Sequence, residues 1–166
     1  MAVDDHITAE QAALIKASHM FFIASADPAM GDGPLGQGPV NLSPKGATRL
    51  RVIDEHRVAY LDYAGSGNET VRHAAAGGPV TVMVMSTSAD DAAIVRLYGH
   101  ARARALESAD TDFAMVRDGA TAVGLPERQV IVIDVEHTQT SCGYGVPVLE
   151  FVKERGLEQR GERYKE

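Results

Sequence analysis

Six or seven stretches of strand character run through this chain, and most are joined by links of hairpin length. Parallel neighbours need a crossover of a dozen or more residues, so short links impose antiparallel pairing. The clearest pair is T-R-L-R-V-I at 48–53 and V-A-Y-L-D-Y at 58–63, parted by the polar turn D-E-H-R. The first alternates polar and apolar residues, the mark of a half-buried strand, and the two are expected to form a hairpin. Further strands are expected at 19–26, 40–45, 80–85, 94–105 and 128–137. Pro44 within the second of these marks an edge or a bulge, since proline cannot donate to a ladder.

Helices are fewer. Thr8 and Gln11 stand at capping-box spacing ahead of A-A-L-I-K-A, which predicts a helix over 8–18. A second is expected over 66–76, stopped by Gly77-Gly78-Pro79. A third is expected over 108–120, with Phe113, Met115 and Val116 on its buried face, and a short one in V-L-E-F-V-K-E-R-G near the C-terminus. Only the 66–76 helix could serve a parallel crossover. Residues 27–39 are rich in glycine and proline and form a long loop, and loops of that length are often functional or mobile. The expected fold is mainly β, an antiparallel barrel with peripheral helices, in one domain spanning 1–166.

With 166 residues, 45% hydrophobic and 23% charged, the composition is that of a globular chain. A net charge of -7 argues against nucleic acid, whose phosphates require a basic face, and against an anionic membrane surface. One cysteine forms no internal disulfide and no zinc-like set, so no metal site is expected. The acidic N-terminus lacks the pattern of a signal peptide, and V-I-V-I-D-V is strand-sized, so a cytoplasmic location is expected.

The stretch 57–76 is chemically the most suggestive. A strand breaks at A-G-S-G-N-E-T and restarts as V-R-H-A-A-A. Ser66 and Glu69 have capping-box spacing, and the loop before them is nearly bare of side chains. Exposed amides at a helix start suit an anion such as a phosphate. The same stretch also reads as an ordinary strand-to-helix connection.

The order of four motifs resembles the FMN-binding split-barrel family related to pyridoxamine 5'-phosphate oxidase. They are F-I-A-S-A-D with its loop into N-L-S-P-K-G, the hairpin T-R-L-R-V-I-D-E-H-R-V-A-Y-L-D-Y, the S-G-N-E-T helix start, and R-L-Y-G-H-A-R; together they cover about residues 10–135. The resemblance implies a six- to seven-stranded antiparallel split β-barrel that binds FMN at a homodimer interface. It places the FMN phosphate at Ser66, Gly67 and Asn68, with Thr70 in the same motif. Two basic residues of the family pattern are replaced by Gly67 and Asn68. Arg72, Lys45 or Arg96 would then supply the charge. Val52 and the pair Asp62 and Tyr63 match positions lining the flavin. The family's arginine- and histidine-bearing C-terminal strand is not visible in R-G-E-R-Y-K-E, which argues against the vitamin oxidase reaction itself.

Other residues carry weaker signals. Cys142 lies in S-C-G-Y-G-V-P, and a thiol is useful only with a lowered pKa. Tyr144 is a candidate to stack on a bound ring. His73 reads as solvated or as a neighbour of the anion site, and His100 as a sheet residue. His56 and His137 have no partner at metal-ligand spacing. The expected function is an FMN-dependent oxidoreductase acting on an unknown small molecule, with no catalytic residue assigned. The alternatives are a non-catalytic flavin- or haem-binding barrel and a deazaflavin-dependent reductase.

Overall fold

The computed structural model describes residues 2–65, 67–107, 116 and 124–159. Eight strands form one sheet among them: β1 (Ala2–Asp4), β2 (Phe21–Ala26), β3 (Val40–Lys45), β4 (Arg51–Asp54), β5 (Arg57–Tyr63), β6 (Pro79–Met85), β7 (Ala93–Arg104) and β8 (Glu127–Cys142). Every pairing is antiparallel. The order is β3-β2-β6-β7-β8-β5-β4, with β1 added to β8. The two end strands, β3 and β4, are not hydrogen-bonded to one another, so the sheet is a split barrel and not a closed one. Among the described residues two whole α-helices accompany it, α1 (Ala9–Ala17) and α2 (Glu69–Ala75). No described helix is long and apolar enough to cross a membrane.

The long strand β8 is the spine. Its first half pairs with β5, its last part with β1, and almost its whole length with β7. It runs to Cys142, beyond the expected end at His137, because β7 continues opposite it as far as Ala93. That extension also creates the edge on which β1 pairs, a strand of three residues too short to show any period in sequence. Gly99 sits where the β7–β8 register shifts, and a Cβ there would collide with the Asp134 carbonyl. The strand can bend only where no side chain stands between the two backbones.

Alternation along the strands places Phe21, Ile23, Val58, Tyr60, Val82, Val84, Leu97, Ile131 and Ile133 in the main core. Full burial of each aliphatic chain contributes about 1.5–3 kcal/mol. A smaller cluster of Ala59, Leu61, Val130 and Val116 lies on the other face of β5, which is therefore buried on both sides. β3 is an edge strand, as Pro44 requires. α1 is capped as its sequence predicts: the Gln11 N–H donates to Thr8 Oγ1 at 3.3 Å, and the Thr8 N–H donates to Gln11 Oε1 at 3.1 Å.

Two helical expectations change. α2 begins at Glu69, three positions after Ser66, with Asn68 as its N-cap residue and no side-chain cap. Residues 148–156 form no helix; they run without regular secondary structure past the end of α1, with one 3₁₀ turn at Leu157–Gln159. Its contacts are tertiary: the Leu149 N–H donates to the Thr87 carbonyl and the Phe151 ring stacks on His19. The helix expected at 108–120 lies outside the described residues, apart from buried Val116.

Candidate functional site

Where the barrel is split, β3 on one side and β5 on the other leave a polar cleft of 420 Å³, and the start of α2 lies beside it. β5 reverses its chemistry here. After the apolar run Val58–Leu61 it places a carboxylate, Asp62, with only 6% of its surface exposed. An ionised carboxylate is tolerated at such a depth only when paired and hydrogen-bonded. Arg128, near the start of β8, supplies that pairing: its Nε and Nη2 donate to Asp62 Oδ2 at 2.9 and 2.6 Å. Gln129 Nε2 donates to the same oxygen at 3.0 Å, and Lys45 Nζ stands 3.8 Å from Oδ1.

The Arg128 guanidinium also reaches the loop. Its Nη1 and Nη2 each donate to the Gly67 carbonyl at 3.2 Å, and Gln129 Nε2 donates to Asn68 Oδ1 at 3.4 Å. This explains why the expected Ser66–Glu69 box is replaced by a later helix start. The loop is held by long-range bonds from β8, and Glu69 turns to Gln37 Nε2 at 3.4 Å. On the β3 side, Asn41 Nδ2 donates to Thr70 Oγ1 at 3.3 Å, tying the edge strand to the first turn of α2.

Lys45 lies 5.9 Å above the buried Tyr60 ring, within cation–π range. Burial first, and the Asp62 charge second, push the Tyr60 phenol well above its ordinary range, so it stays neutral at any working pH. Burial and the nearby Glu127 likewise raise Tyr63. Two cations, Lys45 and Arg128, thus face a cleft whose one deep carboxylate they already neutralise. Glu69, the other carboxylate lining the cleft, is turned to Gln37, which leaves Lys45 and Arg128 as the groups that can meet an anion.

Of the residues singled out in sequence, Lys45, Asp62, Tyr63, Asn68 and Thr70 line this cleft. Ser66 lies outside the described residues. Val52, on β4, packs against the main core instead. Arg72 points its guanidinium at His73 Nε2, 3.3 Å away. Arg96 stands on the outer face of the sheet and donates to Ser141 Oγ at 3.0 Å. Tyr144 is almost fully exposed, and the neighbouring Cys142 is exposed. His73 is not solvated: it is 1% exposed and bonded to Ser25 Oγ at 3.0 Å.

Sequence reasoning missed Arg128. The signal was available in part: an acid inside the apolar strand V-A-Y-L-D-Y needs a buried cation, and R-Q opens the strand that pairs with it.

The sequence model of the family described as pyridoxamine 5'-phosphate oxidase matches residues 7–142. The chain belongs to that family. The match takes in every strand except β1 and the whole cleft. A curated relative, the pyridoxamine 5'-phosphate oxidase family protein ustO of Aspergillus flavus, is 35% identical over 136 residues, covering 80% of this chain and 50% of that protein. The chain thus spans about half the length of the relative it matches. A crystal structure of a putative pyridoxamine 5'-phosphate oxidase from Lactobacillus delbrueckii superposes with a TM-score of 0.56 at 18% identity, over 81% of this chain and 94% of that one. An FMN-binding protein from Syntrophomonas wolfei also gives 0.56, at 16% identity over 78% and 82% of the two chains. At these identities the two structures establish the family's fold.

Proposed function

We propose that this protein binds FMN, with the phosphate received by Lys45 and Arg128 in the cleft between β3, β5 and α2. The observation that carries this reading is the pair of cations held over Asp62, in a family whose pattern has basic residues at Gly67 and Asn68 where this chain has none. Seven-residue α2 offers only a weak dipole, so side-chain charge from β3 and β8 does the neutralising. The FMN-binding relative from Syntrophomonas wolfei supports the choice of flavin.

A bound flavin supplies hydride or electron transfer, and the protein's part is to bind, orient and tune it. The proposed activity is oxidoreduction of a small molecule. Asp62 is too fully engaged to act as a base, and its role in this reading is to position Arg128 and Lys45.

The proposal includes a homodimer. In an antiparallel sheet, directly paired residues share a face. Leu42 pairs with Ala24, Pro44 with Phe22, and Phe22 with Met83, so these apolar residues form one strip across β3, β2 and β6 on the outer face. Leu42 is 66% exposed on it. Arg96, on β7, stands beside Met83 on that face. Arg96 therefore lies on the proposed contact face and not at its own subunit's cleft.

The absorbance spectrum of the purified protein tests the central claim. Twin flavin bands, with FMN rather than FAD released on heating, are the expected result. A Soret band would support the haem-binding alternative, and a colourless protein that ignores added FMN would overturn the proposal. Bleaching of the bound flavin by a reduced nicotinamide would separate an enzyme from a storage or sensing protein.

A further inference from the structure

Two glycines near the polar cleft each have the space of a missing side chain taken by a neighbour. A Cβ built on Gly33 would come within 2.5 Å of the Gln37 amide, and one built on Gly67 would collide with Glu69 Oε2. The Gln37 and Glu69 side chains thus fold back over the backbone of their own loops, and there they meet: Gln37 Nε2 donates to Glu69 Oε1 at 3.4 Å. Gln37 is also held from behind. Its Oε1 accepts from the Leu35 N–H at 2.9 Å, in a turn closed by the Gly36 N–H on the Gly33 carbonyl at 2.8 Å. Fixing the amide oxygen in the loop leaves the amide nitrogen as the donor for Glu69.

The charge balance of the cleft gives this contact a consequence. Among the described residues, the charged groups lining the cleft are Lys45, Arg128, Asp62 and Glu69. Two positive and two negative charges cancel, so their placement decides whether an anion is attracted. Asp62 is fixed, with Arg128 and Gln129 donating to its Oδ2. What holds the Glu69 carboxylate is the exposed Gln37 amide, at the long end of the hydrogen-bond range. A glutamate released from that contact is a tethered anion beside two cations, and competes there with a free anion at high effective concentration.

We propose that Gln37 is a positioning residue for the cofactor phosphate: by holding Glu69 over Gly67 it keeps a competing carboxylate off Lys45 and Arg128. The 27–39 loop brings no cation of its own to the cleft, yet through Gln37 it sets the preference for FMN over riboflavin, which has no phosphate. The inference rests on the FMN reading above and deepens it.

Binding titrations of the parent protein and its variants with FMN and with riboflavin test it. Gln37→Leu removes the donor at an exposed position. It is expected to weaken FMN about three- to tenfold and to leave riboflavin within about twofold, the scale of one hydrogen bond to a charged group. The loss is expected to shrink in high salt, which screens exposed charges from one another. Adding Glu69→Gln to Gln37→Leu is expected to restore FMN affinity to the parent's or above, which a mere repacking of the loop would not do. Gly33→Ala displaces the Gln37 amide instead of removing it and is expected to act in the same direction, so the result does not hang on one variant. A ratio of FMN to riboflavin affinity unchanged in both single variants, or a loss that Glu69→Gln fails to restore, would overturn the inference while FMN binding by the parent stands. A parent that binds no FMN, or binds FMN no better than riboflavin, would overturn the phosphate reading itself and this inference with it.

Discussion

Arg128 closes on Asp62 with two nitrogens, at 2.6 and 2.9 Å, and with the same guanidinium holds the Gly67 carbonyl at 3.2 Å. One side chain therefore couples three things: a carboxylate buried on β5, the start of β8, and the loop leading into α2. The ion pair is needed because β5 carries its acid into an apolar setting, and its second bond fixes the shape of the candidate site.

Replacing Arg128 by alanine leaves Asp62 buried with only Gln129 and the more distant Lys45. Removing one partner of a buried pair costs about 3–5 kcal/mol. Arg128 is 28% exposed, which places the expected loss near the lower end, about 3 kcal/mol. Urea unfolding measures it. Arg128→Lys keeps the charge and loses the fork, so it is expected to recover only part of the stability and little of the loop order.

The fold was largely legible because period-2 alternation and short links both act locally. The hairpin of β4 and β5, the edge position of β3 and the capping of α1 each follow from a few adjacent residues. The later start of α2 was not legible, because the group that sets it, Arg128, lies 61 positions away in sequence. The same holds for the irregular path of residues 148–156, whose contacts with Thr87 and His19 are tertiary. At the site, sequence brought together the cleft's own residues Lys45, Asp62, Tyr63, Asn68 and Thr70, but spacing alone did not distinguish them from Arg96 on the other face.

The β4–β5 turn predicts a pH dependence. Burial raises the Asp54 pKa, but the His56 N–H at 2.9 Å and Arg57 Nε at 2.8 Å outweigh it, so the folded value lies below the ordinary 3.8. A carboxyl depressed on folding contributes stability above its unfolded pKa and loses it as pH falls through the folded value. Asp54→Asn is therefore expected to destabilise the protein at pH 7 and to match the parent progressively as pH drops below 3.8. Asp54 is 41% exposed, and solvent screening keeps the effect under about 1 kcal/mol. Urea midpoints at pH 7 and pH 3 check the convergence.

His73 has a defined tautomer. Arginine only donates, so Nε2 accepts from Arg72, and the proton on Nδ1 is donated to Ser25 Oγ. His73→Leu strands both partners and is expected to cost about 2 kcal/mol. Ser25→Ala removes one bond and is expected to cost about 1 kcal/mol. A shift of the urea midpoint with an unchanged slope would show that stability alone has changed.

The apolar outer strip predicts the effect of a single charge. Leu42→Asp places a carboxylate at the proposed contact between copies, opposite Ala24 and away from the core. Because the side chain is exposed in the single chain, folding stability should change by less than about 0.5 kcal/mol. Sedimentation should nevertheless show the dimer dissociating. A protein that stays dimeric with this substitution would place the interface on another face.

Lys45 distinguishes a phosphate contact from a general effect on the cleft. Its ammonium is partly exposed and stands 3.8 Å from Asp62, beyond hydrogen-bond distance, so Lys45→Ala is expected to change stability by less than about 1 kcal/mol. A charge-assisted bond to a phosphate has about twice the strength of a neutral one, and its loss is expected to weaken FMN binding about tenfold to hundredfold. Riboflavin has the same ring and no phosphate, so its affinity should hardly move. Lys45→Arg should retain most of the FMN affinity. Fluorescence quenching titrations with both flavins measure the difference, and equal weakening for FMN and riboflavin would show that Lys45 faces the ring and not the phosphate.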